Sequence, residues 1–154
     1  ETPDSDQPEL LQLSNFLTYR VARLHQKLNA QASRILSNSV GITLNQWRMI
    51  AFIGGTKGIT ASELVKLTAL NKGLVSRNVG ALIESGLVAS TAHRSDNRVN
   101  VLTLTVEGKK VFDTALPKMR RRQAKLQNKL SEDDLIALRR MLAVLETAAE
   151  DTET

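Results

Sequence analysis

Two short stretches of this sequence carry side chains suited to contact with a polyanion. In HRSDNRVNVLTLT (residues 93–105), Asp96 stands two residues before Arg98, close enough for the carboxylate to hold the guanidinium in one pose. An arginine held in that way suits a phosphate or a narrow groove. His93 and Arg94 precede the pair and add positive or polar reach. In NKGLVSRNVGALIES (residues 71–85), helical spacing places Val75, Val79, Leu82 and Ile83 on a buried face. Lys72, Gly73, Ser76, Arg77 and Gly80 then turn outward together. Ser76 and Arg77 have the groups to reach base edges and Lys72 to reach phosphate, while Gly73 leaves little bulk near the helix start. Taken alone, each stretch also fits a plainer role, an Asx turn with a surface ion pair or a solvated helix face. The surrounding elements have to decide.

Other chemistry finds little support. The chain has 154 residues, no cysteine and two histidines, His25 and His93. Disulfides and thiolate nucleophiles are therefore absent, and neither histidine stands in a metal-ligand or catalytic-triad pattern. No phosphate loop of the Walker or dinucleotide type occurs. The acidic pairs Asp133-Asp134 and Glu150-Asp151 stand at helix ends, where carboxylates complement the dipole or are solvated. The reading is of a non-enzyme without cofactor or metal. A net charge of +5, from 21 basic and 16 acidic residues, favours a polyanionic partner without naming it. The absence of cysteine, of a long apolar run and of a signal-peptide core in ETPDSDQPE points to a cytoplasmic protein with no membrane contact.

The elements that must position these residues follow from periodicity and capping. Leu10, Leu13, Leu17, Val21, Leu24, Leu28 and Ile35 form the stripe of a long amphipathic helix ended by SVGIT. Thr43 with Gln46 forms a capping box for a helix through Trp47, Met49, Ile50 and Phe52. Thr60 with Glu63 forms another for ASELVKLT, and Asn71 caps the third short helix, which Gly86 ends. LVAST and VNVLTLT read as two strands around a polar turn, after which Thr105 caps a helix over 106–130 that Pro117 should kink or break. Ser131 caps a last helix whose Leu135, Leu138, Leu142, Leu145 and Ala149 form a coiled-coil-like seam. The pattern predicts a mainly α chain with a small β-hairpin, in which a winged helix-turn-helix at 43–105 is flanked by long helices.

ITASELVKLTALNKGLVSRNVGALIESGLV followed by DNRVNVLTLT resembles the MarR family of transcriptional regulators, whose hallmark is Asp-x-Arg in the wing and then Leu-Thr. Asp96, Arg98, Leu104 and Thr105 match it. Asn97 stands where the family often has arginine, and Asn78 where an apolar residue is common. The resemblance implies one domain over 1–154, with helices at 10–37 and 106–149 serving dimerisation. It implies a ligand-responsive repressor that binds a palindromic operator in double-stranded DNA as a homodimer. Lys72, Gly73, Ser76 and Arg77 would enter the major groove, and Arg94, Asp96 and Arg98 would serve the wing, with Arg98 in the neighbouring minor groove. It further implies a small-molecule effector, an aromatic acid or an acyl-coenzyme A thioester, in a cleft lined by Tyr19, Arg20, His25, Trp47, Arg48, Phe112 and Met119. Helical spacing equally suits Trp47, Phe112 and Met119 to a plain core.

PKMRRRQAKLQNK, with Lys118, Arg120, Arg121, Arg122, Lys125 and Lys129, supports a different reading: a winged-helix module that docks protein or RNA through this basic helix. The same cations would meet the phosphates of a coenzyme A thioester. Specific binding to a palindromic duplex separates the two readings.

Overall fold

The computed structural model describes residues 14–92 and 100–150. In order they form α1 (Leu17–Val40), α2 (Leu44–Gly54), β1 (Ile59–Thr60), α3 (Ala61–Thr68), α4 (Lys72–Glu84), β2 (Val88–Ala92), β3 (Asn100–Leu104), α5 (Val106–Gln127) and α6 (Glu132–Glu150). This is the winged helix-turn-helix order with long helices on either side. The chain falls into two compact units that divide between Leu116 and Pro117.

In the first unit, α1 docks through Ala32 and Leu36, one turn apart and both buried. The stripe expected from the sequence lies elsewhere on this helix. Leu17, Val21 and Leu24 are exposed, and Leu28 and Ile35 are half-buried. At 3.6 residues per turn the docking face is turned about 60–100° from that stripe. Leu10 and Leu13 lie outside the described residues. Gly41, with φ 68°, closes the helix by sending its N–H to the Leu36 carbonyl at 3.1 Å.

The capping residues hold the three short helices where their spacing places them. Gln46 N–H donates to Thr43 Oγ1 at 3.2 Å while Thr43 N–H donates to Gln46 Oε1 at 2.9 Å. α2 then buries Trp47, Met49, Ile50 and Ile53 at the centre of the core. Thr60 and Glu63 form the equivalent reciprocal pair for α3, which buries Leu64, and Asn71 Oδ1 accepts from Leu74 N–H at 2.8 Å to start α4. α4 buries Val75, Val79 and Leu82. Ile83, placed on the buried face by the sequence pattern, is 40% exposed. It stands about 100° round the helix from Leu82 and so falls at the edge of the packed arc.

The sheet has three strands in the order β1-β3-β2, one more than the sequence pattern suggested. β1 pairs Ile59 with Leu102 and Thr60 with Val101, and β2 pairs with β3 from Val88↔Leu104 to Ala92↔Asn100. Two residues are too few to show alternation, and Thr60 is at once strand and helix cap. Gly58 (φ 144°) leads into β1, and a Cβ there would stand 2.5 Å from Val101 Cγ1, so only glycine lets this short edge close on β3.

Of the kink or break expected at Pro117 the break does not occur, since α5 runs without interruption through it; the division between the units falls at this residue. In the second unit the last turn of α5 passes through Lys129 and Leu130 to Ser131, whose Oγ donates to Asp134 Oδ2 at 2.7 Å and accepts from Asp134 N–H at 3.1 Å. The Ser131 hydroxyl bond, with a second from the Ser131 N–H to the same Asp134 Oδ2 at 3.3 Å, holds the Asp134 carboxyl below the usual aspartate range. No residue of α6 is buried. Ile136, Leu138, Met141, Leu142, Val144 and Leu145 are all exposed, an apolar arc wider than the expected seam. No described helix is long and apolar enough to cross a membrane.

Candidate nucleic-acid interface

α4 presents two sharply different faces. Val75, Val79 and Leu82 are buried, whereas Lys72, Gly73, Ser76, Arg77 and Gly80 are all exposed. Among the described residues a Cβ on Gly80 would meet nothing within 4 Å, and one on Gly73 would meet only Asn71 Oδ1 at 3.6 Å. Neither glycine is needed for internal packing, so the thinness of this face is available to an outside surface. Asn78 turns its amide inward and donates to the Leu74 carbonyl at 2.8 Å. It takes up a backbone acceptor rather than an apolar contact and stays out of the exposed face.

Between α3 and α4 lies a cleft of about 350 Å³ lined by Ala61, Ser62, Val65, Lys66, Lys72, Val75, Ser76 and Val79. Its valines belong to the packed faces of the two helices, and its polar side chains come from both. Ser62 and Lys66 were not singled out from the sequence. They stand four apart on a capped helix, a spacing that puts them on one side of α3. Glu63, between them in sequence, is occupied by the cap: the Thr60 N–H donates to its Oε2 at 2.8 Å and the Thr60 hydroxyl at 2.9 Å. Those two bonds, with a smaller contribution from the Lys66 charge, hold the Glu63 carboxyl below the usual glutamate range despite an opposing desolvation. The first turn of α3 therefore carries a fixed carboxylate, and Lys66 stands in its last turn, each favourable to the helix dipole.

The wing residues His93, Arg94, Asp96 and Arg98 lie outside the described residues. The described base of the hairpin is held firmly. Thr105 N–H donates to the Leu87 carbonyl at 3.1 Å, and the Thr105 hydroxyl donates to the Gly86 carbonyl at 2.6 Å and accepts from Gly108 N–H at 3.0 Å.

The residues gathered for an effector cleft separate into groups. Trp47 and Phe112 stack with ring centroids 6.2 Å apart and planes inclined by 26°, and Lys109 Nζ lies 5.5 Å from the Phe112 centroid. Trp47 is buried, so this pair packs the core as much as it offers a surface. Arg48, half-buried, donates to Asn45 Oδ1 at 3.1 Å and to Asn29 Oδ1 at 3.4 Å, and the Asn29 amide nitrogen lies 2.9 Å from His25 Nε2. Asn29 and Asn45 are thus the links that sequence reading missed; nothing distinguishes a neutral amide on an amphipathic helix until its neighbour is known. Tyr19 and Arg20 are exposed near the start of α1, and Arg20 lines a separate hollow with Ser14, Asn15, Val21, Arg23, Leu24 and Lys27. Met119 belongs to the second unit. Among the described residues no three His, Cys, Asp or Glu side chains gather as a metal-binding cluster.

Three capped helices followed by a hairpin pinned to the next helix define a winged helix-turn-helix protein. The model of the MarR family matches residues 40–98, the span from the end of α1 into the wing. The chain is 29% identical over 94 residues to the HTH-type transcriptional regulator BilQ of Clostridium symbiosum, a match covering 61% of this chain and 65% of that protein, slightly under two thirds of its length. Among solved structures it resembles the MarR/EmrR family transcriptional regulator of Acinetobacter sp. ADP1, with TM-score 0.78 and 23% identity over 86% of this chain and 94% of that one. It also resembles the M. tuberculosis transcriptional regulator MOSR, solved in complex with DNA, with TM-score 0.72 and 28% identity over 88% of this chain and 97% of that one. Over residues 40–98 the chain is similar to the MarR family, and its fold is that of the solved MarR-type structures. The relatives that it resembles are transcriptional regulators.

Proposed function

We propose that this protein is a ligand-responsive repressor that binds a palindromic operator in duplex DNA as a homodimer, in the cytoplasm. The observation that carries the reading is the exposed face of α4, where Lys72, Ser76 and Arg77 stand beside two glycines whose open side no described residue uses. In a helix-turn-helix the second helix enters the major groove while the first crosses the backbone. Arg77 and Ser76 read base edges, and Lys72 contacts phosphate. Arg94, Asp96 and Arg98 extend the contact through the wing. The DNA bound to MOSR supports the same use of the fold here.

Dimerisation rests on apolar surface that the chain does not bury itself, Leu17, Val21 and Leu24 on α1 and the wide arc of α6. A two-fold axis covers such a patch on both copies at once. In this reading the whole chain acts as one functional domain, with the helices of 10–37 and 106–149 assembling the dimer.

Arg48 supports an acidic effector. Both of its hydrogen-bond acceptors are neutral amide oxygens, so its charge has no carboxylate partner among the described residues. An incoming carboxylate would offer a bidentate partner. Footprinting on the DNA beside the protein's own gene, repeated with a panel of aromatic acids, tests the proposal. A discrete protected inverted repeat, released by one of the acids, is the expected result; protection of no discrete site overturns it.

A further inference from the structure

The charge of this chain is concentrated where the winged helix is not. From Pro117 to Leu130 there are six basic residues and no acidic one, so the other 140 residues hold one more acid than base. The first half of α5 is balanced: Lys109 pairs with Asp113 at 2.7 Å and Lys110 with Glu107 at 2.7 Å. The second half contains no acidic residue, and Lys118, Arg121 and Lys125 form no ion pair among the described residues. Lys118, Arg121 and Lys125 are exposed, Arg122 is half-buried beside them, and exposed Lys129 follows in the turn that ends the helix. At 3.6 residues per turn Lys118, Arg121, Arg122 and Lys125 share an arc of about 100°, with Arg120 on the opposite side.

This arrangement costs the helix stability. Lys118 with Arg121 and Arg121 with Lys125 are like-charge neighbours three or four apart, and each such pair destabilises. A merely solvated face relieves that repulsion with interleaved acids, as the first half of α5 does. The cations also run along a line of about 10 Å between Lys118 and Lys125 and do not converge on one point. A compact phosphate group needs convergence. A duplex, with one negative charge for roughly each 1.7 Å of its axis, offers a linear array of matching length.

We propose that the Lys118–Lys129 stripe is a second nucleic-acid surface, which holds the phosphate backbone of duplex DNA without reading its sequence. It stands apart from the operator reading: a protein that recognised no operator would still carry it. The stripe adds affinity for any duplex and a steep salt dependence, whereas α4 supplies discrimination.

The test compares three proteins on a long random-sequence duplex across a salt series. The first is the unaltered chain, the second carries Lys118→Gln, Arg121→Gln, Lys125→Gln and Lys129→Gln, and the third carries Lys72→Gln and Arg77→Gln. The stripe variant should show a slope of log affinity against log salt smaller by roughly three to four units per protomer. The α4 variant should keep random-duplex binding with most of the parent slope. Circular dichroism and sedimentation check that the stripe variant keeps the parent's helix content and assembly. A readout that needs no variant is acetylation of the unaltered protein, in which Lys118, Lys125 and Lys129 should become protected when the duplex is added. A parental slope in a folded stripe variant, unprotected lysines, or loss of all random-duplex binding in the α4 variant overturns the proposal. So does competition by poly-glutamate as effective as that of duplex at equal charge, which would mark the stripe as a seat for acidic protein.

Discussion

The hydroxyl of Thr105 donates to the carbonyl of Gly86 at 2.6 Å, joining the residue that ends the hairpin to the residue that precedes it. The same oxygen accepts from Gly108 N–H at 3.0 Å and so starts α5. One side chain thus fastens α4's exit, the base of the wing and the first turn of the next helix. Gly108 is drawn in so closely that a Cβ there would lie 1.9 Å from the Leu87 carbonyl oxygen. Thr105 therefore anchors the base of the hairpin mechanically, whatever the wing's tip contacts.

Thr105→Val keeps the shape and removes both hydroxyl bonds, leaving a carbonyl and an N–H to find water. It should cost about 1–2 kcal/mol, and Thr105→Ser should cost less. Gly108→Ala sets two effects against each other. Alanine favours a helix interior by about 1 kcal/mol over glycine. An overlap with backbone oxygen cannot be relieved by a rotamer change, so this variant should nevertheless be destabilised, by about 1–3 kcal/mol. Urea unfolding midpoints measure all three, and a Gly108→Ala protein as stable as the parent would show the contact to be slack.

What was legible in the sequence was whatever depends on residues three or four apart. The caps at Thr43, Thr60, Asn71, Thr105 and Ser131 all form, because a cap needs only its own first turn. What was not legible depends on a neighbour distant in sequence. Ala32 and Leu36 dock α1, although leucines on another side of the helix make the stronger stripe, because the docking face is chosen by the α2 surface it meets. β1 exists only because β3 runs beside it. For the interface, periodicity alone places Lys72, Ser76 and Arg77, whereas Ser62 and Lys66 join Lys72 and Ser76 only once α3 lies against α4.

The α3 cap should be pH-dependent. Glu63 is held below the usual glutamate range in the folded protein, chiefly by the Thr60 N–H and then by the Thr60 hydroxyl. A carboxyl whose pKa is lowered on folding contributes stability above its unfolded value, and that contribution is lost as pH falls through the lowered folded value. Glu63→Gln should therefore be less stable than the parent at neutral pH, and the gap should close in acid below the ordinary glutamate range. Urea midpoints of the two proteins at neutral and acid pH read it directly; a gap that stays constant would mean that the carboxylate charge does no more than the amide.

On α4, readout and positioning should separate. Arg77→Ala should cost about 1–3 kcal/mol on the operator and relax preference at one base pair per half-site. Lys72→Ala should weaken all sequences alike and lower the salt slope by about one unit per protomer. Affinities for the operator, single-base variants and random duplex distinguish these. Equal losses on operator and random DNA for Arg77→Ala would make that residue a phosphate contact only.

Gly54 and Phe112 should behave as a coupled pair. A Cβ on Gly54 would stand 2.6 Å from Phe112 Cδ2 and 2.9 Å from Leu104 Cδ1, so the ring that stacks on Trp47 occupies the space a larger residue would need. Gly54→Ala should cost about 1–3 kcal/mol by overpacking, beyond any gain from helix propensity. Phe112→Leu should cost about 1 kcal/mol through lost ring stacking while clearing part of the same space. If the two positions share one packing volume, the double variant should be more stable than the sum of the single losses allows, by an amount in the range of 0.5–3 kcal/mol typical of touching residues. Denaturation of the two single variants and the double decides it. Strict additivity would mean that the ring turns aside at no cost, leaving Phe112 free to line a cleft and no longer fixed in the core.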